Sequence, residues 1–173
     1  MRNNLIGIII EAGNILLSSR SRLDKKLKTD GSYVTSADVE SNNYIISKLS
    51  KTKIPIISEE SKLIDFKKRK VLKKYWLIDP LDGTREYINN SSEYTVNISL
   101  IEDSIPIYGL IYSPENSMIY IGDVKKRKFE ILRLNNGNII SVNTSSLKTH
   151  NKVLISKSHL SDEINASLFQ FDV

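Results

Sequence analysis

The sequence predicts an α+β fold, a layered sandwich in which two N-terminal helices pack against an antiparallel sheet. Two stretches near the N-terminus, at about residues 4–20 and 36–50, carry apolar residues at helical spacing. From Tyr94 onward the pattern changes to short β-branched runs separated by turn signals. Helices first and strands afterwards favour separate layers, and 173 residues are enough for a single domain with a substantial core.

The first helix is predicted from an apolar stripe that ends near Arg20 and consists of Leu5, Ile8, Ile9, Ala12, Ile15 and Leu16. A basic loop is expected next. The second helix is predicted from Ser36, because Asp38 and Glu40 then fall in the first turn, where acidic side chains are favoured. Its apolar face continues to about Ser50.

The sheet is predicted over about residues 54–156. Two short apolar strands come first, and a meander follows in which Asn136 and Gly137 form a turn signal. The predicted strands are Ile54–Ser58, Tyr75–Ile78, Tyr94–Glu102, Ile107–Tyr112, Met118–Gly122, Phe129–Leu132 and Lys152–Ser156. A final helix is expected from Ser161 toward Phe169.

Composition excludes several kinds of site. The chain has no cysteine, which rules out disulfides, thiolate zinc sites and a cysteine nucleophile, and which is compatible with a reducing cytoplasm. Its two histidines, His150 and His159, are too few for a histidine-rich metal site, and we expect His159 to be structural. Glu11 and Asn14 interrupt the N-terminal apolar run too early for a membrane span, so a cytoplasmic protein is expected.

The net charge of +5 is concentrated in basic clusters, chiefly Lys67–Lys70 and Lys125–Lys128. These clusters lack the interleaved aromatic residues of strand-binding surfaces, so we expect solvated faces and no nucleic-acid partner. They can draw a multiply charged small anion toward the molecule. Peripheral attachment to the anionic surface of an inner membrane remains an open alternative.

The most informative segment runs from Trp76 to Ile88, where an apolar strand ends in the carboxylates of Asp79 and Asp82. Pro80 fixes its own φ near −65° and biases Asp79 toward an extended conformation. Both acid groups and the carbonyl of Leu81 can then point into one small volume. Oxygen clusters of this kind bind hard divalent cations such as Mg²⁺.

The next two residues indicate phosphate binding. Gly83 permits a tight turn, and Thr84 is a plausible helix N-cap. Backbone N–H groups at the start of a helix lack intrahelical acceptors and can bind a phosphate oxyanion. The segment therefore predicts a metal site beside a phosphate site.

Two upstream segments complete the pattern. The short strand from Ile54 ends in Glu59 and Glu60, as a neighbouring strand would if it delivered another ligand to the same sheet edge. Further upstream, a polar segment runs from Lys28 to Asp38. Taken together, the three segments resemble the inositol monophosphatase superfamily of magnesium-dependent phosphatases. The Asp-Pro-Leu-Asp-Gly-Thr-Arg-Glu-Tyr form is most similar to the bacterial 3'(2'),5'-bisphosphate nucleotidases.

The resemblance continues through residues 94–101, 109–114 and 155–159, in the expected order. It implies a fold of the inositol monophosphatase-like (sugar phosphatase) type. It also implies that the second α/β layer is truncated, with its start near residues 152–173. That layer carries a Trp-Asp-x-Ala segment whose aspartate is a metal ligand in the family, and the 173 residues contain no such segment.

By resemblance, Glu59 and Asp79 hold a first Mg²⁺ together with the carbonyl of Leu81, while Asp79 and Asp82 reach a second. Glu59 is thereby part of the catalytic set, and Glu60 is expected to support it from behind. The chemistry implied is direct in-line attack of an activated water on phosphorus, without a phosphoenzyme.

The resemblance also implies that Gly83 and Thr84 bind phosphate oxygens through their backbone N–H groups. The Thr84 hydroxyl and Asp38 would orient the attacking water, and Lys28 would face the phosphate. Two alternatives remain open: Asp38 as an ordinary first-turn helix charge, and Lys28 as a solvated lysine.

The activity implied is removal of the 3'-phosphate of adenosine 3',5'-bisphosphate, a by-product of sulfate activation. An inositol or sugar monophosphatase is the related alternative. A further alternative is a catalytically impaired truncated homologue. Such a chain would keep a phosphate- or metal-binding site, associate with itself through an exposed apolar face, or pair with a chain that supplies the second half.

Overall fold

The structure is a computed structural model that describes residues 2–22, 24–28, 31, 33–62 and 64–143. Helices α1 (Arg2–Ser19) and α2 (Ser36–Leu49) pack against each other and against one face of a seven-stranded sheet. The predicted α+β class is therefore confirmed, and both helices lie close to their predicted bounds. The strand predicted at Lys152–Ser156, the final helix and both histidines lie outside the described residues.

The sheet has its strands in the order β3-β4-β5-β6-β7-β8-β9. Their bounds are β3 Ile56–Ser58, β4 Lys74–Asp82, β5 Thr95–Glu102, β6 Ile105–Ser113, β7 Met118–Asp123, β8 Lys128–Asn135 and β9 Asn138–Val142. Each pair from β4 to β9 is antiparallel, but β3 runs parallel to β4. The predicted sheet is present, and it is mixed because the pair at its edge is parallel. The parallel pair places the carboxyl ends of β3 and β4 at the same edge.

The segment predicted as a basic loop contains a small separate sheet. Strand β1 (Lys25–Leu27) pairs with β2 (Tyr33–Thr35) in antiparallel register. Two short helices also appear. Helix α3 (Phe66–Arg69) lies in the connection between β3 and β4, and α4 (Thr84–Ile88) follows β4 directly.

The core lies between the two long helices and the sheet. Helix α1 buries an apolar stripe, and the facing side of the sheet buries large side chains from five strands, β4 to β8. Close approach of α1 is possible because residue 13 is glycine: a Cβ atom there would lie 2.3 Å from the ring of Tyr112. The buried set includes Leu5, Ile9, Leu16, Trp76, Ile78, Val96, Ile98, Leu110 and Ile119.

Within the described part of the chain, the opposite face of the sheet carries exposed apolar side chains. Leu77, Ile111 and Phe129 are 44%, 46% and 56% exposed there. With Gly109 and Gly122 between them, they line a hollow of about 710 Å³ that reaches Asp79 at one end. We call this surface the open face. No helix among the described residues is long and apolar enough to cross a membrane.

Candidate active site

The ends of β3 and β4 bring the predicted acidic residues together. Ser58 of β3 pairs with Ile78 of β4, and the backbone N–H of Glu59 donates to the carbonyl of Ile78 at 3.2 Å. The next residue on β4 is Asp79, so the parallel register places Glu59 beside it. The sequence predicted this meeting of two strand ends, and the structure shows it.

A β-bulge shapes the end of β4. Asp79 pairs with Asn97 and Asp82 pairs with Thr95, so the stretch from Asp79 to Asp82 has one residue more than the facing stretch of β5. Within the bulge, the carboxylate of Asp79 accepts a hydrogen bond from the backbone N–H of Leu81 at 3.2 Å. The Asn97 amide donates to the carboxylate of Asp82 at 3.1 Å.

The acidic cluster is electrostatically strained. Burial, together with the negative charges of Glu59 and Asp82, raises the pKa of Asp79 to about 7. The Glu59 carboxylate also lies within hydrogen-bonding reach of Asp79. The two oxygen groups therefore share a space in which a positive charge would relieve their repulsion.

The donor set fits a hard divalent cation by its chemistry, since it consists of carboxylate and carbonyl oxygens. Within the described part of the chain, however, no three His, Cys, Asp or Glu side chains are gathered around one point. Glu59 and Asp79 are adjacent, whereas the Asp82 carboxylate is held by Asn97. A cation bound by all three would require the Asp82 side chain to turn toward Asp79.

The Thr84 hydroxyl joins the bulge to α2. Its Oγ1 lies 3.2 Å from the carbonyl oxygen of Leu81 and 3.3 Å from Oδ1 of Asp38, both of which are acceptors. Asp38 is 1% exposed, and burial raises its pKa although hydrogen bonds from Thr35 and Thr84 oppose the change. The structure thus brings together Asp38 and Thr84, which are 46 residues apart in the sequence.

Asp38 also caps α2. Its Oδ2 accepts from the backbone N–H of Thr35 at 2.7 Å, and the Thr35 hydroxyl accepts from the backbone N–H of Asp38 at 3.3 Å. This is a capping box with Thr35 as the N-cap. The helix-charge alternative for Asp38 is therefore correct as a local description. It leaves Oδ1 directed at Thr84.

Gly83 is the N-cap of α4, with φ of +91° in the left-handed region. The prediction that Thr84 is the N-cap is therefore wrong by one residue, because glycine adopts this backbone conformation at no steric cost. A Cβ atom at position 83 would lie 2.8 Å from the carbonyl oxygen of Glu93. The turn brings the backbone of Gly83 and Thr84 directly after the acidic cluster.

Lys28 lies at the rim of the cluster. Its Nζ is 2.6 Å from Oε1 of Glu60 and 3.4 Å from Oε1 of Glu59. Burial lowers the pKa of Lys28, but the Glu60 and Glu59 carboxylates outweigh it, so the net shift is upward. Lys28 is thus an ion-paired lysine that reaches the proposed ligand Glu59.

Two supporting residues, Ser41 and Asn97, were missed by sequence reasoning, whereas Glu60 was expected to support the site. The Ser41 hydroxyl of α2 donates to the carbonyl of Pro80 at 3.1 Å and thereby fixes the bulge from below. Asn97 holds Asp82, and Glu60 holds Lys28. Ser41 and Asn97 lie on elements distant in sequence, so only the strand register and helix placement identify them.

The chain is similar in sequence to a protein family and to relatives with known names. Residues 1–171 match the Inositol monophosphatase family. A 3'(2'),5'-bisphosphate nucleotidase CysQ from Buchnera aphidicola is 42% identical over 107 residues, which cover 61% of this chain and 40% of that protein. The protein of the same name from Haemophilus influenzae is 33% identical over 140 residues, or 76% and 52% of the two chains. The chain spans about half the length of the curated relatives it matches.

Solved structures of other proteins have a fold similar to that of this chain. CysQ from Bacteroides thetaiotaomicron, a bacterial member of the inositol monophosphatase family, superposes with a TM-score of 0.78 at 27% identity. The match covers 99% of this chain and 68% of that one. An IMPase from Thermotoga maritima superposes with a TM-score of 0.64 at 21% identity, over 81% and 52% of the two chains, which supports the fold alone.

Proposed function

The chain belongs to the inositol monophosphatase family, and from that premise we propose that it is a magnesium-dependent phosphatase of the 3'(2'),5'-bisphosphate nucleotidase type. One observation carries the proposal: Glu59 and Asp79 meet at the ends of two parallel strands. The Asp38–Thr84 pair lies at the end of the same bulge. Acidic oxygens beside a polarised hydroxyl are the groups that phosphate ester hydrolysis requires.

Magnesium would be held by the carboxylates of Glu59, Asp79 and Asp82 and by the carbonyl of Leu81. When bound, Mg²⁺ stabilises negative charge on the phosphoryl group and lowers the pKa of a water molecule. The crowding of Glu59 and Asp82 on Asp79 supports this assignment, because it leaves negative charge without a partner among these groups. Glu60 keeps Lys28 beside Glu59, which limits the charge at the rim.

Asp38 and Thr84 would orient the attacking water. The Thr84 hydroxyl has two acceptors within reach, Asp38 and the carbonyl of Leu81. When its proton is directed to one of these, an oxygen lone pair is available to a water molecule. Asp38 is fixed by its capping role, so the hydroxyl sits on a rigid support.

The phosphate would be bound by the backbone N–H groups of Gly83 and Thr84. Their support is the left-handed turn at Gly83, which places this backbone directly after Asp82. Lys28 would contribute positive charge at the rim of the cluster once a phosphate competes with Glu59 for it. These roles are assigned to the described residues of this chain.

The substrate we propose is adenosine 3',5'-bisphosphate, which loses its 3'-phosphate to give AMP. The relatives named 3'(2'),5'-bisphosphate nucleotidase CysQ support this choice over an inositol or sugar monophosphate. Arg85 and Glu86 after the Gly-Thr pair are the local feature that favours it. A cytoplasmic location accords with such a metabolite, and attachment to the inner membrane surface is the alternative that the basic clusters suggest.

Two partners besides the metabolite follow from the open face. Exposed apolar residues on a sheet face favour burial against protein. A second copy of the chain, or a separate chain that supplies the family's second half, would cover it. The second case would also bring the remaining metal ligand of the family to the acidic cluster.

The proposal is tested by phosphate release from adenosine 3',5'-bisphosphate and from inositol 1-phosphate, with and without Mg²⁺. We expect turnover of the bisphosphate that requires Mg²⁺ and that is absent in Asp79→Asn. Thr84→Ala should lower kcat by about 100-fold, whereas Thr84→Ser keeps the hydroxyl and most of the rate. Faster release from inositol 1-phosphate would reassign the substrate. Release that Asp79→Asn leaves unchanged would refute the site.

A further inference from the structure

Arg20 lies outside the proposed site, yet it contacts the short helix that the site depends on. Its guanidinium donates hydrogen bonds to the carbonyls of Tyr87 and Ser91, which lie at and just beyond the C-terminal end of α4. It also forms an ion pair with Glu115 in the turn between β6 and β7. The side chain is only 17% exposed.

Two aromatic rings hold the guanidinium in place. Its central carbon lies 5.4 Å from the ring centroid of Tyr87 and 5.3 Å from that of Tyr94. These rings are 5.0 Å apart and nearly perpendicular, at 82°. Burial between two ring faces favours the flat, weakly hydrated guanidinium over the ammonium of lysine.

Helix α4 needs external support. It has five residues, from Thr84 to Ile88, which is too short for a helix to be stable by itself. Its N-cap is Gly83, which has no side chain to accept a capping hydrogen bond. Arg20 adds a side-chain donor to the Tyr87 carbonyl, which also accepts from the backbone N–H of Asn90 at 3.2 Å, and it ties the segment after the helix through the Ser91 carbonyl.

The hydrogen bonds lead from Arg20 to the proposed phosphate site. Arg20 binds the carbonyl of Tyr87, and the backbone N–H of Tyr87 donates to the carbonyl of Gly83 at 2.9 Å. The Tyr87 hydroxyl donates to the carbonyl of Leu16 at 2.6 Å, which ties α4 directly to α1. One turn of helix therefore separates the arginine from Gly83 and Thr84.

We propose that Arg20 is a positioning residue, which locks α4 so that the backbone of Gly83 and Thr84 is ordered for phosphate. The effect of Arg20 on catalysis rests on the proposed function, whereas its effect on the order of α4 does not. The Nε–H of Arg20 is buried and has no hydrogen-bond partner among the described residues. The other contacts of Arg20 therefore fix the orientation of the guanidinium, and this orientation leaves the Nε–H donor without a hydrogen bond.

The test compares the Arg20→Gln and Arg20→Lys variants with the wild-type chain. Backbone amide hydrogen exchange in residues 84–88 should become at least about tenfold faster in Arg20→Gln, while α2 keeps its protection. In the phosphate-release assay kcat should fall about tenfold. The affinity for Mg²⁺ should stay unchanged, because Asp79 lies on β4 and Glu59 directly follows β3, away from α4. If Arg20→Gln only destabilised the fold as a whole, kcat and the affinity for Mg²⁺ would fall together.

Arg2→Gln is the matched control, since it removes an arginine at the opposite end of α1 from Arg20, one that pairs with Glu130 on β8 and not with α4. It should leave the 84–88 amides unchanged. In Arg20→Ala, added methylguanidinium should restore part of their protection. If Arg20→Gln does not fold, amide exchange of residues 84–88 in the Arg20→Lys variant tests the proposal instead.

Wild-type exchange of residues 84–88 in a folded Arg20 variant would overturn the proposal. So would equally fast exchange throughout the chain. Absence of phosphate release in the wild-type chain itself would instead refute the proposed function, and the exchange measurement would still judge the role of Arg20.

Discussion

Asp38 shows how one side chain can serve the fold and the site at once. Its Oδ2 closes the capping box of α2, and its Oδ1 lies beside the Thr84 hydroxyl. From the sequence, the two interpretations of Asp38 compete. In the structure they are compatible, because a carboxylate has two oxygens and the cap uses one of them.

The acidic residues of the candidate site could be predicted because each is adjacent to residues that shape the backbone. Pro80 and Gly83 bracket the Asp79–Asp82 pair, and Glu59 follows an apolar strand. Ser41 and Asn97 have no such local signal. Ser41 reads as a polar helix residue and Asn97 as an alternating strand residue, and only tertiary contacts give them a role.

At the residue scale, Asp79 predicts an unusual pH dependence of stability in the metal-free chain. Its pKa of about 7 in the folded chain lies above the ordinary value near 3.8. The folded state therefore binds more protons than the unfolded state over this range, and the free energy of unfolding falls as pH rises from about 4 to about 7. Asp79→Asn should flatten this slope and stabilise the metal-free chain at pH 8 by about 1–3 kcal/mol.

Urea unfolding in the presence of a chelator, at several pH values, measures this effect. Asp103→Asn is the matched control because it makes the same change in an exposed turn, and it should retain the wild-type slope. A wild-type chain whose stability rises steadily from pH 4 to pH 7, with Asp79→Asn parallel to it, would show that Asp79 is not strained.

At the element scale, the long helices and the meander follow from their periodicity, whereas the parallel pairing of β3 does not. A three-residue strand carries no signal of its direction, and the connection from β3 to β4 runs through the basic cluster Lys67–Lys70, whose sequence does not indicate a crossover. Helix α4 was anticipated one residue late. Glycine at its N-cap is selected by backbone conformation, not by the side-chain capping that favours threonine.

Gly13 predicts how tightly α1 must approach the sheet. Gly13→Ala gains helix propensity but places a methyl group 2.3 Å from Tyr112 and 3.1 Å from Pro114. We expect overpacking to outweigh propensity and to lower the free energy of unfolding by about 1–2 kcal/mol. Thermal or urea unfolding measures the change.

Gly7→Ala is the control for Gly13. It lies in the same helix, and nothing is within 4 Å of the added Cβ. This variant should be more stable than the wild type by up to about 1 kcal/mol, since alanine is the better helix former. The same sign of change in both variants would contradict the packing of α1 against Tyr112.

At the scale of the whole molecule, the described residues form one helical layer and one sheet whose second face is open. Two glycines, Gly109 and Gly122, face each other across β6 and β7 and form the floor of the hollow. Leu77 and Phe129 stand at its sides. An open apolar face of this kind was expected from the family resemblance, but its depth depends on cross-strand register.

The open face predicts self-association of the purified chain. Sedimentation velocity should show species larger than a monomer as protein concentration rises. Replacing Ile111 and Phe129 together by lysine should suppress them, because both side chains are about half exposed on this face. The control Phe66→Lys, at an exposed position in α3, should leave these larger species unchanged. A chain that stays monomeric at the highest concentration would contradict the prediction.

We propose that the ends of β3 and β4 bind Mg²⁺ through Glu59, Asp79, Asp82 and the carbonyl of Leu81. Calorimetric titration of the metal-free chain with Mg²⁺ at pH 8 tests it most directly. We predict saturable binding in the wild type and in Asp103→Asn, and no measurable binding in Asp79→Asn. Equal Mg²⁺ binding by wild type and Asp79→Asn, or no binding by either, would contradict the claim.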